Sequence, residues 1–419
     1  MPNNFTLTRK VSMKVLDTFM NELNVADGMN TSWAAEFGKT PKIGDLIVVK
    51  KPFRWTVNSG AQRVPQPIDE QSVTLRVTRH RHIGFDYTKW DETLSLDDIY
   101  DRCFGTQIKQ LANTVDDEAC EFIYQNTNNA QGTLGTNPTS TFEAQLQLLA
   151  TMARLRENAC QGIDSIRAVL GPYQSAVSQA YLNNQFNNQQ ILGRQFATGK
   201  LQDAFGFERI KTDQNIRNHQ SGTFAGTPLV NGAPVEGYTS LVTDGWTAGD
   251  TLLLADIIGV AVQLNVNPVN RRAVPGTFLK RLLVKADATA DAGGNMTIQV
   301  AAGGDEPIRG PGQYQNVDAL PADNAAITVW PGTTSPSGKS GTQGLAFGPN
   351  AFAYIPITFA DPSKEGAWGA TARDPKTGIS ITLCKQFQID PFSTAARADI
   401  GFDFGPLWAD NESIRIVGA

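Results

Sequence analysis

The chain has 419 residues, 41% apolar and 18% charged; that is more than one ordinary core requires and too little charge for a disordered chain, so it predicts several folded domains or one large architecture carrying an insertion. With 36 basic and 41 acidic residues the formal charge is −5, and no long basic run occurs, which argues against a dedicated nucleic-acid-binding domain. The opening MPNNFTLTRK lacks an apolar signal core, and the longest mostly apolar stretch, Leu252 to Leu264, is interrupted by Asp256 and is too short to span a bilayer, so a soluble, unexported protein is expected.

Val11, Val15, Phe19 and Leu23 recur every fourth residue and predict a short amphipathic helix from about Arg9 to Asn24. Such a stripe needs a partner surface, either the chain's own core or a neighbour's. Residues 43–57 read as strand, the polar, Pro/Gly-rich NSGAQRVPQPIDEQ as the tip of a long hairpin, and Ser72 to Thr88 as a second β-run. Ser95 with Asp98 resembles a capping box, and Ile99, Cys103, Ile108, Leu111, Val115, Ala119 and Phe122 follow at helical spacing to Asn126. That is one helix of roughly 30 residues, about 45 Å long.

Ser140 with Glu143 opens a further helix to Asn158, followed by a strand at Ile166 to Leu170, Gly171-Pro172, and a helix from Pro172 to Leu182 whose proline suits the first turn. GFERIKT, at Gly206 to Thr212, reads as another strand. From Ser221 to Gly341 helical periodicity gives way to short β-runs (DTLLLA, GVAVQLNV, TFLKRLLVKA, NMTIQVA, AAITVW) separated by Gly, Pro and Asn turns, which predicts an inserted β-domain. LAFGPNAFAYIPI, ISITLCKQFQI and ADIGFDFGPLWADNESIRIVGA close the chain as further strands.

Few residue patterns in the chain carry chemistry. GTTSPSGKSG, Gly332 to Gly341, follows a strand as a phosphate loop would, but five residues separate its glycines, Pro336 interrupts them, and no helix can start at Lys339-Ser340. His80 and His82 alternate on a strand beside Arg79 and Arg81 and read as exposed strand histidines. His219 stands alone in a loop and supports no triad. Asp116, Asp117 and Glu118 are consecutive on the long helix, point different ways, and read as a solvated face. Cys103, Cys120, Cys160 and Cys384 form no C-x-x-C pair and are expected reduced and buried. No catalytic residue, metal ligand or cofactor is assigned. One pattern stands out: residues 50–90 hold eight basic residues (Lys50, Lys51, Arg54, Arg63, Arg76, Arg79, Arg81, Lys89) and three acidic ones, net +5, whereas residues 91–130 hold nine acidic and two basic, net −7. Adjacent segments of opposite sign suggest a contact within the chain or between copies.

The order of parts (amphipathic arm, basic hairpin, very long helix, VLGPYQSAV, GFERIKTDQNI before a β-insertion, closing strands) resembles the major capsid proteins of tailed bacteriophages, most closely the coat proteins of short-tailed phages. The resemblance implies an α+β fold of the tailed-bacteriophage and herpesvirus-floor type with an inserted antiparallel, β-barrel-like domain. It implies an N-terminal arm at 1–42, an extended loop at 43–83, a peripheral domain at 84–160 with a spine helix at 96–127, an axial domain at 161–220 and 342–419 returning to the peripheral sheet, and the insertion at 221–341. The implied function is a structural one, self-assembly into hexamers and pentamers of an icosahedral head around double-stranded DNA, with no enzymatic activity. Implied partners are further copies of the chain, a scaffolding protein, a portal, a decoration protein and weakly contacted DNA, with no membrane, in a virion assembled in the bacterial cytoplasm. Lys50, Lys51, Arg54, Arg63, Asp97, Asp98 and Asp101 are the expected inter-subunit contacts, and Val11, Val15, Phe19 and Leu23 the arm's packing residues. The competing readings are a nucleotide-binding enzyme using 332–341 and a β-rich surface-binding protein.

Overall fold

A computed structural model describes residues 13–20, 22–33, 46–51, 53–55, 57–66, 68, 70–90, 105–182, 205–274, 278–330, 337–360, 368–374, 377–390 and 392–419. In chain order its elements are helix α1 (13–20), strands β1 (Leu46–Lys50), β2 (Ser72–Arg76) and β3 (Arg79–Thr88), helix α2 (Gly105–Asn126), β4 (Ala130–Gly132), α3 (Thr141–Glu157), β5 (Arg167–Leu170), α4 (Pro172–Leu182), β6 (Arg209–Thr212) and β7 (Asn218–Gln220). The insertion contributes β8 (Leu229–Val230), β9 (Ser240–Asp244), β10 (Thr251–Leu252), β11 (Ile257–Leu264), β12 (Leu279–Val284), β13 (Ala288–Thr289), β14 (Met296–Ala301) and β15 (Ile327–Val329). The chain closes with β16 (Ser340–Phe347), β17 (Phe352–Ile357), β18 (Trp368–Arg373), β19 (Ser380–Gln388), β20 (Ser393–Pro406), the short helix α5 (Ala409–Glu412) and β21 (Ser413–Val417). This is an α+β architecture of two compact units, one of Met1–Val49, Ser72–Ala119 and Phe352–Gly405, the other of Lys50–Gln71, Cys120–Ala351 and Pro406–Ala419.

The first unit is built on a five-stranded sheet in which β17, β20, β19 and β18 follow in that order and β3 pairs with β20 over its whole length, Arg79 opposite Phe402 through Thr88 opposite Ser393. Its centre is aromatic: the rings of Tyr354, Phe402 and Phe404 pack in tilted and edge-on contacts with centroids 5.4 to 5.9 Å apart. Gly405 is required there, because a Cβ would collide with the Leu75 side chain. The β-run expected from Ser72 to Thr88 is two strands. Between them Asp403 accepts from the Thr78 N–H at 2.9 Å and the Thr78 hydroxyl at 2.8 Å, a break only a partner distant in sequence could impose.

The second unit has a frame and an inserted domain. In the frame the order β4, β21, β16, β5, β6 makes one sheet, with β7 also paired to β16. Helix α3 lays Leu148, Met152 and Leu155 against Ala168, Leu170, Ile414 and Ile416 of that sheet and against Ile166 just before β5. Its start follows the sequence signal, since the Ser140 hydroxyl accepts from the Glu143 N–H at 3.2 Å. The Glu143 carboxylate turns back to the Thr139 N–H and hydroxyl, one residue earlier than a capping box would place it.

The insertion is a six-stranded antiparallel sheet, order β15, β11, β12, β14, β9, β8, around Val230, Leu241, Ile258, Val260, Leu282, Val284, Ile298 and Val300. Its edges meet where Val230 N–H donates to Ala325 O and Ile327 N–H to Pro228 O. The closure is a single bridge at Leu229 and Ala326, not a ladder, so the domain is barrel-like without being a closed barrel.

Polar groups line the boundary between barrel and frame. Lys280 Nζ lies 2.6 Å from both oxygens of Asp410, which also accepts from Asn128 at 2.9 Å. His219 Nε2 meets Asp256 Oδ1 at 2.8 Å and its Nδ1 meets the Tyr124 hydroxyl. Asp256 Oδ2 accepts from the N–H groups of Gly222 at 3.0 Å and Leu253 at 2.7 Å. Arg415 donates to Ala255 O at 2.9 Å, and burial pulls its guanidinium down to about 10.

Glu412, next to this seam, accepts from the N–H groups of Gln161 and Asn350 at 3.3 and 3.2 Å, yet burial still pushes its carboxyl up from 4.5 to about 7. A carboxyl whose folded pKa is raised binds its proton more tightly in the fold than in the unfolded chain, so its stabilising effect is complete below about 4.5 and lost as pH rises through about 7. Denaturant titrations across that window should show stability falling with pH in the parent chain, and Glu412→Gln should flatten that slope. An unchanged slope in the variant would assign the effect to another group.

Candidate assembly interface

Val15, Phe19 and Leu23 are all buried, together with Leu16, Val25 and Ala26; Val11 lies outside the described residues. What holds the arm is Asp116. Its carboxylate accepts from the N–H groups of Asn24 at 2.6 Å, Val25 at 3.1 Å and Ala26 at 3.0 Å, satisfying the turn that follows the arm's helix. Lys109 adds an ion pair to Glu22 at 3.0 Å. The described part of the arm's apolar stripe, Val15, Phe19 and Leu23, is therefore covered within its own chain. Asp116 is only 2% exposed, which corrects the expectation of a solvated acidic face: of the acidic run, the first residue is an internal hydrogen-bond acceptor. Glu118 receives Arg79 at 2.9 Å and Arg81 at 2.6 Å.

The basic hairpin residues are spoken for in different ways. Lys50 pairs with Glu70 at 2.8 Å on the surface, a contact worth at most about 1 kcal/mol. Lys51 reaches Glu306 at 3.1 Å and lies over the Trp408 ring at 5.2 Å. The Arg54 carbonyl accepts from Gln313 at 2.8 Å, and Arg63 is exposed. Asp97, Asp98 and Asp101 lie outside the described residues. Part of the +5 and −7 asymmetry is thus met inside one chain, by Arg79 and Arg81 on Glu118. Sequence reasoning passed over the hairpin's apolar content. Val57 is 96% exposed, Ile68 71% and Trp55 55%, with Phe53 and Val64 also in water. FRWTV was readable, but as a strand, and nothing local says that its partner face is missing.

Among the described residues no group of three or more His, Cys, Asp or Glu residues could hold a metal. His80 is exposed as expected and bonds Asp399 at 2.7 Å. His219, expected alone in a loop, is instead a buried residue of β7 clasped by Tyr124 and Asp256; both partners are distant in sequence. Ser340 begins strand β16, where a phosphate loop needs a helix; residues 331–336 lie outside the described residues. A cavity of about 300 Å3 between β4 and α3 has Glu143 as its one ionisable wall group among the described residues. Cys120 is buried, but Cys160 and Cys384 are half-buried, not buried as expected; Cys103 lies outside the described residues. No described helix is long and apolar enough to cross a membrane.

No protein-family model matches the sequence, and neither does any curated protein. Among solved structures the chain is similar to one from Mycobacterium phage Che8, with 12% identity over 94% of this chain and 90% of that one and a TM-score of 0.47. It is also similar to the capsid structure of the cyanophage P-SCSP1u, with 11% identity over 91% and 86% and a TM-score of 0.43. A third similarity is to the virus-like particle from Pyrococcus furiosus, with 8% identity over 97% and 98% and a TM-score of 0.36.

Asp116→Ala leaves three inward-facing N–H groups without an acceptor and should cost about 3 kcal/mol of unfolding free energy, each stranded donor costing about 1–3 kcal/mol before relaxation. Limited proteolysis should then cut near residues 22–30 first. A denaturation midpoint within error of the parent would remove Asp116 from the role of arm anchor.

Proposed function

We propose that this chain is a shell-forming structural protein, a major capsid protein of the tailed-bacteriophage type that assembles as hexamers and pentamers around double-stranded DNA. The observation that carries the reading is the hairpin. Five large apolar side chains (Phe53, Trp55, Val57, Val64, Ile68) stand in water on a segment whose base is tied down. Large apolar side chains exposed together on one segment, Phe53 and Trp55 among them with ring centroids 6.1 Å apart, suit a docking site, and the layout of the whole chain, from buried arm to inserted β-domain, fits a subunit that reaches out to its neighbour. Apolar contact would supply most of the strength. The basic residues, Arg54 and Arg63 foremost, would face Asp97, Asp98 and Asp101 of an adjacent copy and set register more than affinity. Scaffolding, portal and decoration proteins, weak contact with DNA on the inner surface, and assembly in the bacterial cytoplasm belong to the same proposal. The division of the chain at 1–42, 43–83, 84–160, 161–220, 221–341 and 342–419 does too.

The enzyme reading has less support. Its loop would have to work with a strand, not a helix, after Lys339.

Electron microscopy of the purified chain, with and without its scaffolding protein, tests the proposal: closed shells or capsomer rings support it, and discrete monomers at every concentration and salt count against it. The paired change Trp55→Ser and Val57→Ser should leave the melting temperature nearly unchanged, since exposed substitutions stay within about 0.5 kcal/mol, while particle formation is lost. Shells from that variant at parental yield would reject the hairpin as the docking surface. Arg54→Glu with Arg63→Glu should slow assembly most at low salt, where screening over about 10 Å is weakest.

A further inference from the structure

We infer that the inserted β-domain is the seat that aims the hairpin of its own chain, with Lys51 as the positioning residue. Three contacts carry this. The Lys51 ammonium reaches Glu306 at 3.1 Å with the Trp408 ring on another side at 5.2 Å. Arg309 donates to the Gln71 side chain at 3.0 Å, and Gln313 to the Arg54 backbone at 2.8 Å. Lys51 N–H also donates to Gln71 O at 2.8 Å, so both legs of the hairpin are joined where the seat grips them.

The seat is itself cross-linked by hydrogen bonds. Asn316, buried, accepts from the Arg309 N–H at 2.7 Å and donates to Pro307 O at 2.9 Å, while its own N–H and that of Val317 return to Arg309 O. The Lys51 side chain is 13% exposed and Glu306 19%, so water screens the pair little. A cation held between a carboxylate and an indole face is fixed in direction as well as position. The hairpin is thereby pre-organised before any partner arrives, which lowers the ordering cost of docking. The seat stands on these contacts alone; its use in assembly rests on the shell reading above.

Hydrogen exchange on the full chain tests the seat directly. Lys51→Glu and Glu306→Lys should each raise exchange of the protected amides in 50–71 and in 305–317 about tenfold, and the double swap should restore most of the protection. Lys51→Arg, which keeps the charge, should behave like the parent and guards against a general folding defect, as does an unchanged exchange pattern in α3. Unaltered protection of 305–317 in Lys51→Glu, or no recovery in the double swap, would overturn the inference. A mixing experiment separates cis from trans: chains carrying Lys51→Glu and chains carrying Glu306→Lys, mixed under assembly conditions, should remain defective, whereas the double swap in one chain assembles. Recovery on mixing would place the contact between copies and refute the seat. If the parent chain itself forms no shells, the shell reading fails while the exchange result still decides the seat.

Discussion

Polar and charged groups removed from water at the boundary between the inserted domain and the frame sheet fix the arrangement of the second unit. An ion buried without its counterpart costs several kcal/mol, and breaking one buried pair costs about 3–5 kcal/mol. Lys280 of β12 finds Asp410 of α5, and His219 of β7 finds both Tyr124 of α2 and Asp256 ahead of β11. These partners come from the frame and the barrel together. A barrel turned by one strand would leave several of them stranded, so apolar packing alone, which is non-directional, is not what selects the orientation. The seat for the hairpin inherits that orientation, because segment 305–317 belongs to the same barrel.

Legibility in the sequence followed the range of the interaction. Helix α3 was readable because its cap is made by Ser140 and Glu143, three residues apart, and α4 because Pro172 can only open a helix. The β-runs of the insertion were readable from alternation, as in Met296 to Val300, where alternate residues are buried. Asp116 and His219 were not readable. Each looks like a surface polar residue until a partner about 90 residues away in sequence is brought against it. The strand β4 and the break at Val77 and Thr78 were missed for the same reason, since β21 and Asp403 impose them. The exposed apolar tip belongs to a third class: its side chains are plain in the sequence, but exposure is a property of the folded surface.

The charge asymmetry between residues 50–90 and 91–130 was open to two readings, and the structure divides it. Arg79 and Arg81 are neutralised within the chain, and Lys51 by the inserted domain. Nearer the hairpin's tip stand arginines among aromatic and branched side chains, a composition suited to a protein surface and poorly suited to water. Much of the charge is thus met inside the chain, while apolar area stays exposed on the hairpin.

The neck of the insertion bears on how the chain folds. β7 enters and β16 leaves side by side, Gln220 opposite Ser340 and Asn218 opposite Thr342. Once the barrel has formed, its ends are a strand spacing apart, and β5 and β16, far separated in sequence, become neighbours along the effective chain. Loop-closure entropy grows only with the logarithm of loop length, but the rate of finding such distant pairings falls steeply with their separation. A barrel that folds first therefore shortens the search for the rest, and the frame acquires the effective contact order of a much smaller protein.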